Sequence, residues 1–405
     1  MGDKGRNVFV IGAGFSAPAN IPIQNRILKE ITQPTSADFL SFNPEPESIK
    51  LLIAFIRVGL YLLQNFTLEN CCVEIEKFAK IEQELLLQEN TSIHNDNLYR
   101  DIQILKENVR AKLEFADLQT SLEDVFTSFD KSYLGKEYLF QRSYHQISEV
   151  KDAIMRLFVY YFSKRINEHS FNSTEYLDFC RYIKRLENVT IISTNWDVLI
   201  EEYFSRERIQ YNLCLNDPYY TPSKSKPRPP TTVNLIKLHG SINWFKCLNC
   251  GTLNIVENKN CGSFLFEDSA VEHCSRCKCK ASNGILLQSE IITPTMIKTI
   301  NSQLYNNLWS AAKRDLMEAH SVTFVGYSLP TADFELRYLL QRSIQSDAEI
   351  NIVLRHSSDP SITASEKLKS LLPESRYCDL FAKNKKQFYY CGFEEYFQKI
   401  IEEVS

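Results

Sequence analysis

Two Cys-x-x-Cys pairs are the most specific chemical signal in the sequence. The second pair follows the first after 23 residues, and the four thiols belong to Cys247, Cys250, Cys274 and Cys277. Four thiolates at this spacing are typical of a structural zinc site of two knuckles, and they leave no open position for a catalytic water. His273 and Cys279 flank the second pair and are alternative ligands. We therefore expect zinc to hold a small module together and to take no part in chemistry.

A glycine turn follows the first apolar run of the chain. Residues 7–11 are largely β-branched and apolar, as expected for a strand that is buried on both faces. Gly12, Gly14 and Ala17 then fit the G-x-G-x-x-G/A fingerprint, whose glycines allow a tight turn and the close approach of a diphosphate. A plain strand-to-helix turn is the alternative. The candidate dinucleotide-binding residues are Gly12, Ala13, Gly14, Phe15 and Ser16.

Polar and small residues follow three further apolar runs. The runs cover residues 188–193, 232–238 and 321–325, and the candidate site residues after them are Thr194, Asn195, Asp197, His239, Gly326 and Ser328. Because ligands of open α/β sheets bind at the carboxyl ends of the strands, we expect these residues to surround one crevice. His239 could accept a proton there as a general base, and Asn195 could orient a water molecule. Helix capping by Asn195 and Asp197, and a structural role for His239, are the alternatives.

The elements that must position these residues alternate between strands and helices. Apolar runs predict strands at residues 7–11, 188–193, 232–238, 321–325 and 349–354. This order predicts the α/β class, with a Rossmann-like doubly wound parallel sheet, a large helical insertion and a small zinc-ribbon module. The expected units are a Rossmann-like domain at 1–37, 188–246 and 281–356, the insertion at 38–187, the zinc-binding module at 247–280, and a C-terminal segment at 357–405 that packs on the main domain.

The insertion is expected to be helical because its apolar residues recur at helical spacing among Lys and Glu, as in residues 75–88. Glu123 and Asp124, which follow Thr120 and Ser121, predict a capped helix start with acidic residues in its first turn. The most apolar run, at residues 51–63, contains a charged residue and is predicted to be too short to span a bilayer.

The composition is that of a folded, enzyme-sized chain. Of its 405 residues, 44% are hydrophobic and 24% are charged, and the formal net charge is −4. A net negative charge disfavours a general polyanion binder, so direct nucleic-acid binding is not expected. The N-terminus shows no apolar signal segment, and the cysteines cluster as metal ligands rather than as a disulfide framework. We expect a cytoplasmic location without membrane association.

Taken in order, these motifs resemble the sirtuin family. The resemblance covers the GAG-x-S turn at residues 12–16, Asn-Ile-Pro at 20–22, Thr-Asn-Trp-Asp at 194–197, His-Gly at 239–240, both cysteine pairs, and Gly-x-Ser at 326–328. It implies a crevice that binds NAD, with Asn195 and Asp197 near the nicotinamide ribose and His239 as the base. It also implies that the glycine turn holds the diphosphate and that the cysteines bind structural zinc.

The chain departs from the protein deacylases of that family at three places. It has Ile23-Gln24-Asn25 where they have Asp-Phe-Arg, it shows no evident substrate-binding strand after the zinc module, and about 150 helical residues replace a short cofactor loop. The pattern is more similar to the sirtuin-like proteins of bacterial anti-phage defence, which hydrolyse NAD. Some of those proteins work beside a HerA-type ATPase or an Argonaute-like partner.

This resemblance implies an NAD+ glycohydrolase that releases nicotinamide and ADP-ribose and defends by depleting NAD+. The alternatives are an NAD-dependent protein deacylase on the same pocket and a non-catalytic assembly module that only senses nucleotide. Because an uncontrolled hydrolase of NAD+ would harm its own cell, we expect gating by a homo-oligomer or by a partner such as a HerA-type ATPase.

Overall fold

Within the residues that it describes, a computed structural model of the chain has ten strands and eleven α-helices. It describes residues 5–22, 27–28, 31, 46–67, 69–88, 96–116, 120–136, 144–215, 233–256, 274, 276–277, 287–295, 302–354 and 373–404. The strands are β1 (Arg6–Ile11), β2 (Val189–Ser193), β3 (Tyr211–Asn212), β4 (Val233–Lys237), β5 (Gly240–Cys247), β6 (Leu253–Ile255), β7 (Leu287–Ile291), β8 (Ala319–Val325), β9 (Glu349–Val353) and β10 (Lys386–Tyr389).

The main sheet contains seven parallel strands in the order β10-β9-β8-β1-β2-β4-β3. Strand β2 is buried throughout, and β1 and β8 are buried over their last four residues, which fits the continuous apolar sequences there. The chain leaves β1 toward β2 on one side and later returns to β8 on the other side. The strand order therefore reverses at β1, where doubly wound sheets bind their ligands. The predicted Rossmann-like parallel sheet is confirmed.

Helices fill the predicted insertion and cover the sheet. They are α1 (Ala13–Ser16), α2 (Pro46–Phe66), α3 (Cys72–Gln88), α4 (Asp96–Phe115), α5 (Leu122–Gly135), α6 (Tyr144–Glu168), α7 (Thr174–Arg185), α8 (Leu199–Arg206), α9 (Gln303–Met317), α10 (Phe334–Ser343) and α11 (Gly392–Val404). Helix α5 begins as predicted, since the Ser121 hydroxyl accepts a hydrogen bond from the Asp124 amide and the Asp124 carboxylate accepts one from the Ser121 amide.

Helix α2 is longer than the apolar run that predicted it. Ile49–Phe66 is long and apolar enough to cross a membrane by length and composition alone, and 61% of this window is buried inside the protein. Its buried face includes Leu52, Ile56 and Tyr61, all essentially inaccessible to solvent. We therefore describe α2 as a core helix of the insertion.

Helix α7 packs on the main sheet, although it falls inside the predicted insertion. The Phe179 ring lies 5.8 Å from that of Phe9 on β1, and the Phe397 ring on α11 lies 4.9 Å from that of Phe179. Strand β10 and helix α11 thus join the C-terminal segment to the sheet and to α7. Aromatic contacts between these elements form the core beneath the glycine turn.

Strands β6, β5 and β7 form a separate three-stranded antiparallel sheet. Strand β7 follows the cysteine-rich segment and was not predicted from the sequence. Only Leu238 and His239 separate β4 in the main sheet from β5 in the small one. Gly240 has a φ of +76°, and a Cβ there would lie 2.2 Å from the Glu290 carbonyl oxygen, so only glycine fits this crossing. This tight connection places His239 between the two sheets.

Candidate functional site

A cavity of about 720 Å³ opens at the carboxyl ends of β1, β2, β4 and β8. Its volume lies within the ordinary range for sites that hold small molecules and cofactors. Nine of the eleven residues predicted for catalysis and dinucleotide binding line it: Ala13, Gly14, Ser16, Thr194, Asn195, Asp197, His239, Gly326 and Ser328. The four strand ends expected to form one crevice therefore do meet.

Two predicted residues do not line the cavity. Gly12 is buried behind the turn, and the Phe15 ring packs in the core against Tyr176 and Phe393 at centroid distances of 5.4 and 4.6 Å. Phe15 thus anchors the turn from behind, and its carbonyl oxygen accepts a hydrogen bond from the Tyr176 hydroxyl at 2.8 Å.

Backbone contacts between Gly14 and Gly326 bring two of the loops together. The Gly14 amide donates to the Gly326 carbonyl oxygen at 2.9 Å. A Cβ on Gly14 would lie 2.8 Å from the Gly326 Cα, and one on Gly326, whose φ is +61°, would lie 2.3 Å from the Phe15 nitrogen. Neither position accepts a side chain, so both glycines are required for this approach. The result is a side-chain-free floor that suits the close approach of a diphosphate.

Asn195, Ser16 and Asp197 form a hydrogen-bonded chain along one wall. The Asn195 amide nitrogen donates to the Gly12 carbonyl oxygen at 2.9 Å and to the Ser16 hydroxyl oxygen at 3.0 Å. Ser16 also hydrogen-bonds to the Asp197 carboxylate, which accepts a further bond from the Leu199 amide at 3.1 Å. Burial raises the pKa of Asp197, against the opposing effect of nearby Lys237 and of these donors. Asn195 thus links the end of β2 to the glycine turn.

Lys237 stabilises this wall of the cavity through hydrogen bonds. Its ammonium group is completely buried and donates to three acceptors, namely the Asp197 carbonyl oxygen at 2.5 Å, Glu201 Oε1 at 2.7 Å and the Ser241 hydroxyl at 2.7 Å. An ammonium has three donors, so its hydrogen-bonding capacity is filled. Burial raises the pKa of Glu201, and Lys237 opposes that shift. The lysine fixes the backbone of residue 197 relative to β4 and β5.

His239 faces an acidic residue that sequence reasoning missed. Its Nε2 atom lies 3.8 Å from Oδ1 of Asp333, and both side chains line the cavity while being nearly buried. Asp333 comes seven residues after Gly326, beyond a Pro-containing loop, and precedes α10. In the sequence it has the pattern of a helix cap, and no local signal connects it to His239.

The helical insertion also contributes to the cavity. Thr120, Ser121, Leu122 and Glu123 at the start of α5 line it, as does Phe162 on α6. The Thr295 hydroxyl after β7 hydrogen-bonds to that of Thr127 on α5 at 3.4 Å. The insertion therefore forms one wall of the site. The sequence predicted the helix cap at Ser121 and gave no signal that it faces the glycine turn.

The four predicted zinc ligands lie together. The Sγ atoms of Cys247, Cys250, Cys274 and Cys277 all lie within 4.8 Å of one another. Cys247 and Cys277 are separated by 3.7 Å, and Cys250 and Cys274 by 3.5 Å. Zinc bonded tetrahedrally to four sulfurs at 2.3 Å separates them by about 3.8 Å, so this quartet fits the ion. The alternative ligands His273 and Cys279 lie outside the described residues.

One family model matches part of the chain. Residues 189–372 match the family model of the SIR2-like domain. This match supports a sirtuin-like family for the chain and favours an NAD-using enzyme of the sirtuin type. No curated protein matches the chain.

Solved structures similar to this chain include Sir2 proteins. Sir2Tm bound to a propionylated peptide is 13% identical, with 98% of this chain and 93% of that chain covered and a TM-score of 0.38. A mutant Sir2 homologue with ADP-ribose is 12% identical, with coverages of 99% and 92% and a TM-score of 0.40. A Sir2 complex with a p53 peptide and NAD+ is 12% identical, with coverages of 98% and 93% and a TM-score of 0.37.

Proposed function

We propose that the chain is an NAD+ glycohydrolase, which cleaves the bond between nicotinamide and ribose and releases nicotinamide and ADP-ribose. The observation that carries the proposal is that His239 and Asn195 line one cavity together with Ala13, Gly14 and Ser16 of the glycine turn. An imidazole, a carboxamide and a backbone floor are the groups that this reaction requires around its substrate. The SIR2-like match over residues 189–372 supports NAD+ as that substrate.

Each residue of the site has a separate role in the proposed reaction. The backbone of Ala13 and Gly14 binds the diphosphate, and Asn195 orients the attacking water or the ribose hydroxyls without adding charge. His239 accepts the proton as general base, a role that contributes about 10²- to 10⁴-fold. The Asp197 carboxylate, held by Ser16 and by the Leu199 amide, stabilises the positive charge that develops on the sugar.

The wall contributed by the insertion favours water as the acceptor. Residues 120–123 and Phe162 line the cavity beside His239 and Asn195. A protein deacylase must leave room for an acyl-lysine peptide at its reacting carbon, whereas a hydrolase needs room for one water molecule.

Product analysis tests the proposal. The purified full chain is incubated with NAD+, with and without an acyl-lysine peptide, and the products are separated by chromatography. We expect nicotinamide and ADP-ribose in both cases, and no release by the His239→Ala variant. His320→Ala, which removes an exposed histidine at the opposite end of the sheet, is the matched control and should retain activity. Cleavage that requires the peptide and yields an acylated ADP-ribose would establish the deacylase instead.

We further propose that the protein acts in the cytoplasm, in bacterial anti-phage defence, as a gated homo-oligomer. The resemblance to defence proteins and the size of the insertion support this, and a HerA-type ATPase is the partner we favour. Light scattering gives the oligomeric state, and NAD+ cleavage is measured with and without such a partner. A monomer with full activity on its own would contradict the gating.

A further inference from the structure

The helix that follows the glycine turn ends after one turn. Helix α1 covers Ala13–Ser16, and a 3₁₀ turn follows at Ala17–Ala19. In a 3₁₀ turn the Ala19 amide pairs with residue 16, three positions earlier, whereas in a continuing α-helix it would pair with the Phe15 carbonyl oxygen. A buried carbonyl oxygen that loses its helical partner needs a donor from elsewhere.

Tyr176, on helix α7, supplies that donor. Its hydroxyl donates a hydrogen bond to the Phe15 carbonyl oxygen at 2.8 Å and accepts one from the Ala19 amide. The hydroxyl thus bridges the two groups that a continuing α-helix would have joined directly. Burial and the nearby Asp197 raise the pKa of Tyr176, so its hydroxyl remains a neutral donor.

Aromatic packing fixes the position of this hydroxyl. Tyr176 is only 1% exposed, and its ring stacks on that of Tyr203 on α8 at a centroid distance of 4.8 Å and an interplanar angle of 27°. The rings of Phe15 and Phe393 contact it at 5.4 and 5.0 Å. Because rings from three other helices surround it, the tyrosine has little freedom to move its hydroxyl away from α1.

The bond to Phe15 also orients the residue that follows. The Phe15 carbonyl belongs to the planar peptide group that joins residue 15 to Ser16, so fixing the carbonyl fixes the direction in which Ser16 leaves the turn. The Ser16 hydroxyl accepts a hydrogen bond from the Asn195 amide at 3.0 Å and hydrogen-bonds to the Asp197 carboxylate. These three residues line the cavity, whereas Tyr176 does not.

We propose that Tyr176 is a positioning residue of the dinucleotide site and that it acts through Ser16. The inference rests on the proposed function for the identity of the ligand. Tyr176 holds the peptide group between residues 15 and 16 in the orientation that presents the Ser16 hydroxyl to Asn195 and to the ligand. Without this bond, the Phe15 carbonyl oxygen must turn toward another donor, and Ser16 turns with it.

Binding of ADP-ribose, measured by calorimetry on the full chain, tests this without requiring cleavage. Tyr176→Phe keeps the ring and removes both hydrogen bonds, and it should weaken binding about 3- to 10-fold, the size expected for the loss of a buried neutral hydrogen bond. Ser16→Ala should also bind more weakly. Because both changes act on the same hydroxyl, Tyr176→Phe should cost little further affinity in the Ser16→Ala background.

Tyr396→Phe is the matched control. Tyr396 is also a buried tyrosine, and its hydroxyl forms a hydrogen bond with Thr323 on β8, but neither residue lines the cavity. Denaturant unfolding should show a loss of stability in both tyrosine variants, since each loses a buried hydrogen bond. Only Tyr176→Phe should lose affinity for ADP-ribose, which distinguishes a positioning role from a merely structural one.

The outcomes separate this inference from the proposed function. If Tyr176→Phe binds ADP-ribose as tightly as Tyr396→Phe does, or loses the same factor whether or not residue 16 is serine, the inference is wrong. If the coupling to Ser16 is found but the wild-type chain does not cleave NAD+, the positioning role stands and the hydrolase proposal fails. Failure of the wild-type chain to bind ADP-ribose would overturn both.

Discussion

Replacing Asn195 with alanine should lower the unfolding free energy, apart from any effect on catalysis. The amide is nearly buried and donates two hydrogen bonds of good length, to the Gly12 carbonyl oxygen and to the Ser16 hydroxyl. Each such bond contributes about 0.5–1.5 kcal/mol, so the variant should lose about 1–3 kcal/mol of unfolding free energy. The Gly12 carbonyl oxygen loses a buried partner, which places the expected loss in the upper half of that range.

The Asn195→Asp variant distinguishes the effect of side-chain shape from the effect of hydrogen bonding. The side chain has the same size, but a carboxylate oxygen replaces the donor nitrogen and faces the Gly12 carbonyl oxygen. A buried charge without a partner costs about 3–5 kcal/mol, so this variant should be less stable than the alanine variant. Its pocket should also bind ADP-ribose more weakly, because the glycine turn loses its link to the end of β2.

Denaturant unfolding and calorimetry measure the two effects. Asn351→Ala is the matched control, since its amide makes one long hydrogen bond, 3.4 Å to the Ser321 hydroxyl, in a part of the sheet away from the cavity. We expect it to lose less than about 1 kcal/mol and to keep its affinity for ADP-ribose. If Asn195→Ala is as stable as Asn351→Ala, the amide does not hold the turn and the reasoning is refuted.

Three further predictions concern the zinc module, titration and the insertion. The full chain should contain one zinc ion by elemental analysis, and Cys250→Ser should lose the ion and unfold the module, whereas Cys378→Ser, at an exposed cysteine, should do neither. Burial raises the pKa of Glu290, so its stabilising contribution is complete below the unfolded value near 4.3 and is lost as the pH rises through the folded value. Glu290→Gln should therefore gain unfolding free energy relative to the wild type from pH 4 to pH 8, and an unchanged difference would contradict this sign. Ser121→Ala should lose about 0.5–2 kcal/mol, measured by denaturant unfolding, because it removes the cap of α5.

Structural features that depend on a few neighbouring residues were predictable from the sequence. The buried strand at residues 7–11, the glycine turn after it and the cap at Ser121 depend on neighbours within a few residues, so residue types and spacing suffice. The zinc quartet was predictable for a similar reason, since each Cys-x-x-Cys pair sits in its own short turn. Ligands of parallel α/β sheets bind at the carboxyl ends of the strands, and this rule predicted that His239 and Asn195 lie in one cavity.

Tertiary structure alone decided which distant segments complete the site. Asp333 lies near His239 because β8 and β4 are on opposite sides of β1, where the strand order reverses, and no pattern in either segment specifies that pairing. The start of α5 lines the same cavity as the glycine turn for a similar reason. The Phe15 ring turns inward because α7 and α11 supply its aromatic partners. A local pattern determines a local conformation, whereas contacts across the cavity depend on how crossovers and burial bring remote surfaces together.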